Sequence, residues 1–137
     1  VLIPEAYVPD LGVRMSLYRR LSDLLEPEDI ESFAAELIDR FGDLPEEVQN
    51  LIHIVKIKQL CKKAGVSSVE AGPKGAVIGF HKDSPPNLEG LMHWMTSKGG
   101  AVKLRPDHKL VAIRHWDTQT KRVTGTHSLM KELSELN

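Results

Sequence analysis

LCKKAGVSSVEAGPKGAVIGF, residues 60–80, is where the chain changes its hydrophobic period, and the fold class turns on that change. Before Gly65, apolar residues recur at three- to four-residue spacing: Val48, Leu51, Ile52, Val55 and on to Leu60 and Cys61. That is helical spacing, and with Ile54 and Ile57 it covers more than one side of the helix, which marks a central element with several neighbours. Lys62 and Lys63 suit the negative end of the helix dipole, and Gly65 supplies a left-handed stop. After Gly65 two short apolar runs, 66–71 and 76–80, flank Gly72-Pro73-Lys74-Gly75, a turn by composition. Helix gives way to hairpin, so the expected class is α+β.

Upstream, the same helix opens at Pro45, a residue that suits the first helical position, followed by the acids Glu46 and Glu47. Residues 28–41 form a second helix with the stripe Ile30, Phe33, Leu37, Ile38 and Phe41, acids in the first turn and Gly42 as cap. A first helix runs from Arg14 through Met15, Leu17, Tyr18, Leu21, Leu24 and Leu25, and Pro27 ends it. Residues 1–13, with Pro4, Pro9 and Gly12, read as an extended lead-in. Downstream, a short helix is expected over 87–98, with Leu88, Leu91, Met92 and Met95 inward. Strands are expected over 102–104 and 110–116 around Arg105-Pro106-Asp107-His108, where Pro then Asp suits a type I turn. A closing helix covers 121–136, weakened early by Gly125. The expected layout is a helical part (14–65), then β-β-α-β-β-α (66–137) with a mostly antiparallel four-stranded sheet and helices on one face. Residues 1–137 read as a single domain.

The chain has 137 residues, 18 Lys and Arg against 19 Asp and Glu, and a formal net charge of −1. That length lets a core bury roughly two-thirds of the unfolded surface, and the charge argues against an indiscriminate nucleic-acid or membrane-surface binder. The near-zero sum is a cancellation. Residues 1–65 carry net −4 and residues 66–137 net +3; the stretch 23–47 holds ten carboxylates and one cation, Arg40. The single cysteine, Cys61, excludes an intramolecular disulfide and a multi-thiolate metal site, and fits a reducing, cytoplasmic setting. No run of apolar residues is long enough to span a membrane, and the N-terminus lacks the layout of a signal peptide. The chain begins Val1-Leu2-Ile3-Pro4 without Met, which reads as one domain of a longer polypeptide.

Catalytic patterns do not emerge. Neither G-x-x-x-x-G-K-[ST] nor G-x-G-x-x-G occurs. Gly72-Pro73-Lys74-Gly75 matches the G-x-x-G backbone clamp, but that loop joins helices, and here strand-like runs flank it. His53, His81, His93, His108, His115 and His127 have no metal-ligand spacing. Cys61 reads as an inert core thiol despite the neighbouring lysines. Glu46 and Glu47 are adjacent and point apart, so they cannot serve one bond as acid and base.

Two surface features remain. On the second helix, Asp29, Ser32, Glu36, Asp39 and Arg40 share one sector. This is either a solvated face with a weak Glu36–Arg40 pair or a docking face whose carboxylates and guanidinium make directed charge pairs. In the basic half, Lys103 and Arg105 share a strand face, as do Arg114 and Trp116. With Lys121 and Arg122 they are either the solvent side of a half-covered sheet or a grip on a nucleic-acid backbone.

Two stretches carry a family resemblance: IPEAYVPDLGVRMSLYRRL (3–21) and ELIDRFGDLPEEVQNL (36–51). Their order, their spacing and the helix after the second stretch resemble the C-terminal regulatory domain of bacterial transcription-repair coupling factors, the Mfd family. The resemblance covers the whole chain in layout, with its distinctive motifs in residues 3–51, and assigns no residue role in the sheet-forming half. It implies a cytoplasmic ATP-driven DNA translocase as parent, with ATP and Mg held in an upstream motor and no cofactor or catalytic residue in this segment. It implies docking on a UvrB-like N-terminal module of the same polypeptide, masking the surface that UvrA uses until RNA polymerase is engaged. Docking side chains of that family map to Glu36, Asp39 and Arg40. Asp29, on the same helix face, and Asp43, where relatives also carry apolar residues, are candidates for a secondary interface; Asp43 either extends the acidic surface or does nothing. A DNA contact through Lys103, Arg105, Arg114, Lys121 and Arg122 stands as the alternative, and no membrane partner is implied.

Overall fold

The computed structural model describes residues 2–136. The chain forms two compact units that divide between Gln59 and Leu60. The first unit contains α1 (Leu11–Ser22), α2 (Pro27–Phe41) and the part of α3 (Glu46–Ala64) up to Gln59. Leu17 and Leu21 of α1, Ile30, Phe33 and Leu37 of α2, and Val48 and Ile52 of α3 form its core.

The N-terminal lead-in takes part in that core, because Ile3 and Val8 are buried within it. Side chains tie it down. The Ile3 N–H donates to the Tyr18 hydroxyl oxygen at 2.5 Å, and the Arg14 guanidinium donates to the Val8 and Pro9 carbonyls at 2.8 and 3.0 Å. The Tyr7 hydroxyl donates to the Gly42 carbonyl at 2.7 Å, beyond the end of α2. Helix α1 starts at Leu11, three residues ahead of the expected Arg14. Asp10 is the reason: its carboxylate accepts from the Val13 N–H at 2.8 Å, satisfying a donor that the first turn leaves open. Pro27 opens α2 instead of closing α1, which has already ended at Ser22. The expected apolar stripes are also wider than the core. Met15 and Ile38 remain about half exposed, at 48% and 47%.

The second unit contains β1 (Val66–Gly72), β2 (Gly75–Phe80), α4 (Leu88–Ser97), β3 (Val102–Leu104), β4 (Leu110–Ile113) and α5 (Gln119–Ser134). The four strands pair in the order β1-β2-β4-β3, every pair antiparallel. The α+β class and the sequence of elements are those expected. In register, Ala76, Ala112 and Val102 form one buried row across three strands, and Ile78 lies opposite Leu110 in the next such row. Between them, Glu70, Val77, Val111 and Lys103 form a row that points the other way and stays at least partly open. Leu91 of α4 and Leu129, Met130 and Leu133 of α5 join the buried set, whereas Leu88 and Met92 of α4, expected inward, stay 54% and 48% exposed.

Gly72 pairs with Gly75 around Pro73-Lys74, so the G-x-x-G sequence closes a two-residue hairpin. Gly75 has φ of +128°, and a Cβ there would lie 1.9 Å from the Ala112 carbonyl oxygen. Only glycine lets β2 and β4 approach at that point.

Strand β4 ends at Ile113, short of the expected residue 116, because the backbone changes partner. The Arg114 and Trp116 N–H groups donate to the Lys74 and Pro73 carbonyls, at 2.9 and 2.8 Å. Trp116 is thereby turned inward, 7% exposed, against Gly125 of α5. Helix α5 starts at Gln119, two residues early, where the Thr118 hydroxyl accepts from the Lys121 N–H at 3.1 Å.

Candidate interaction surface

Helix α2 buries Ile30, Phe33 and Leu37, and that phase sends Glu36, Asp39 and Arg40 outward. The outward face is organised by a residue from a different helix. Arg20, in the last turn of α1, grips Glu36 with both terminal nitrogens, Nη1 to Oε2 at 2.6 Å and Nη2 to Oε1 at 2.8 Å. Arg40, one turn along α2, adds a third bond to Oε2 at 3.0 Å. Each guanidinium also lies over an aromatic ring, Arg20 over Phe33 at 5.2 Å and Arg40 over Phe41 at 4.8 Å. The hydrogen bonds from Arg20 and then Arg40 hold the Glu36 carboxyl down at about 2, against an ordinary 4.5.

Asp39 differs. It is exposed, and among the described residues its side chain has no ion pair or hydrogen bond, so its carboxylate is open to a partner. Asp29 sits two turns from Glu36 toward the helix start, where its carboxylate accepts from the Glu26 N–H at 3.2 Å. Asp43 lies just past α2, exposed, and after burial it is the second cause that raises the Tyr7 hydroxyl above its usual range. The helical period brings Glu36, Asp39 and Arg40 together as the sequence indicates. Arg20 escaped that reading, because a pair sixteen residues apart across two helices leaves no periodic trace.

Four of the five cations considered for a nucleic-acid contact are engaged by local partners. Arg105 pairs with Asp107 in the β3–β4 turn, and Lys121 with Asp117 at 2.9 Å. Both partner carboxyls are held below their usual range by those hydrogen bonds. Arg122 donates through Nε to the Trp116 carbonyl at 3.1 Å, and Arg114 through Nη1 to the Ile113 carbonyl at 2.9 Å. Lys103 is exposed on β3. Arg114 and Trp116 do not share a strand face, since both lie beyond β4, and the buried Trp116 offers no ring for stacking.

Burial pushes the half-buried Cys61 thiol above its ordinary range, the opposite of activation. Desolvation, followed by the charge of Lys56, lowers His53. Among the described residues, no three His, Cys, Asp or Glu side chains gather where they could hold a metal ion, and no helix is long and apolar enough to cross a membrane.

The molecule is thus an α+β protein whose helical unit displays an ion-paired, outward-facing cluster. Residues 1–91, about two-thirds of the chain, match the TRCF domain family, and the chain belongs to that family. It is 40% identical over 136 residues to the transcription-repair-coupling factor of Rickettsia conorii and 38% identical over the same length to that of Rickettsia bellii. To the Escherichia coli transcription-repair-coupling factor it is 29% identical over 134 residues. These alignments take in 98–99% of this chain, which spans only 12% of the length of those relatives. The crystal structure of a C-terminal domain of transcription-repair coupling factor superposes with a TM-score of 0.80 at 21% identity. That superposition covers 99% of this chain and 88% of the other, and establishes a common fold.

Proposed function

We propose that this domain is a non-catalytic regulatory module of a cytoplasmic, ATP-driven translocase that couples transcription to DNA repair. It docks through the outward face of α2 on a UvrB-like N-terminal module of the same polypeptide and masks the surface that UvrA binds. Engagement of RNA polymerase by the parent protein releases the lock. The observation that carries the reading is the cluster of Glu36, Asp39 and Arg40, outward-facing and oriented, on a TRCF-family helix. Asp39 presents an open carboxylate, Arg40 keeps most of its donors free, and Asp29 and Asp43 extend the acidic surface at either end of the helix.

The energetics suit a lock. Holding one conformation about 99% of the time takes about 2.7 kcal/mol of preference. A few charge pairs that lose water on docking supply an amount of that order and let go when conditions change. The parent's ATP and Mg site lies in its motor, outside this domain.

Glu36→Arg combined with Asp39→Arg reverses the face while leaving the buried side of α2 untouched. The full-length double variant is expected to fold normally and to bind UvrA more tightly than the wild type in a pull-down or by calorimetry. Unchanged UvrA binding would remove these residues from the interface. The alternative, a DNA contact through the basic half, is checked by an electrophoretic shift with the isolated chain. Steeply salt-dependent binding would favour it, although four of its five cations are already engaged locally.

A further inference from the structure

We propose that Arg20 is an internal stand-in for a cation of the docking partner. It occupies Glu36 in the free domain and yields that place on docking. The proposal rests on the docking reading above, and it concerns how the same face is switched.

The geometry leads there by counting lone pairs. A carboxylate oxygen accepts about two hydrogen bonds. Oε2 of Glu36 already accepts two, from Arg20 and Arg40, and Oε1 accepts one, from Arg20. A partner guanidinium needs one site on each oxygen to make a fork. That is impossible while Arg20 holds both, and straightforward once it leaves, since Arg40 can keep its single bond to Oε2. The charge count agrees. Two guanidiniums around one carboxylate make the trio net positive, so an incoming cation is repelled until Arg20 withdraws. Arg20 is free to withdraw: its side chain is 43% exposed and stands at the end of α1, on a different helix from Glu36. One arginine–carboxylate pair replaces another, so the exchange is close to balanced and docking stays reversible.

The experiment uses full-length protein, with purified UvrA as the probe of the open state. Arg20→Gln removes the competitor, so it is expected to strengthen docking and weaken UvrA binding about fivefold. Glu36→Gln is expected to do the reverse, and Arg20→Gln is expected to have no further effect in a Glu36→Gln background. Arg20→Lys, which keeps the charge and the stem but cannot fork, is expected to move UvrA binding in the same direction as Arg20→Gln by less. It also guards against a folding defect in the glutamine variant. If Glu36→Gln raises UvrA binding and Arg20→Gln raises it too, or leaves it unchanged, Arg20 is a positioning residue or a bystander and the proposal is overturned. If Glu36→Gln itself changes nothing, the docking reading fails and takes this proposal with it.

Discussion

Glu36 is the one side chain on which acid acts most directly in the helical unit. Its carboxyl sits at about 2 in the folded domain, against 4.5 for an unpaired glutamate. A depressed folded value means the charged form favours the folded state. That contribution is therefore complete above about pH 4.5 and disappears as pH falls toward 2. Urea midpoints of wild type and Glu36→Gln are expected to differ at pH 5 and to converge by pH 2. Added salt is expected to narrow the difference at pH 5, since the pair is exposed and screened. A gap that stayed constant from pH 5 to 2 would contradict the assignment. Asp107 and Asp117 are depressed in the same direction and contribute equally to both proteins. At this scale Glu36, Asp39 and Arg40 were legible, because a helix places residues three and four apart side by side. Arg20 was not, because what brings it to Glu36 is the packing of α1 on α2.

At the scale of elements, Gly125 reverses its meaning between sequence and structure. In an isolated helix, glycine to alanine gains about 1 kcal/mol. In α5 the added Cβ would lie 2.4 Å from Cε2 of the buried Trp116 indole. Gly125→Ala is therefore expected to destabilise the domain by about 1–3 kcal/mol, as overpacking does, read as a lower urea midpoint. The glycine is a seat for the tryptophan. Hydrophobic period located α2, α3 and the β1–β2 hairpin well, since their apolar repeats end at glycines with positive φ, Gly42 and Gly65, or at a tight turn. Ends set by a single side chain or by a change of partner were missed. Asp10 extends α1 backward, and the hydrogen bonds of Arg114 and Trp116 to the β1–β2 turn cut β4 short, while residues 114–116 still look like strand.

For the whole molecule, the α+β class could be read from the switch of period at Gly65, but the strand order could not. Nothing in the local pattern says that the last strand inserts beside β2 and leaves β3 at the edge; the close approach at Gly75 allows it. The order makes β2 depend on strands and a helix much later in the chain. A chain ending after Ser97 loses β3, β4 and α5, and with them one hydrogen-bonded edge of β2 and the apolar cover of Leu129, Met130 and Leu133. That truncation is expected to lose cooperative thermal unfolding of the sheet and to bind a hydrophobic dye; a sharp transition retained by the sheet would refute it. The same order sets a clock during synthesis. Ile78 leaves the ribosome about thirty residues before Leu110, its partner across the β2–β4 ladder. At roughly 5–20 residues per second, the strand waits a few seconds with a bare apolar edge. Each copy of the domain passes through that interval, and slow translation of residues 81–110 lengthens the exposure of an edge that the finished protein never shows.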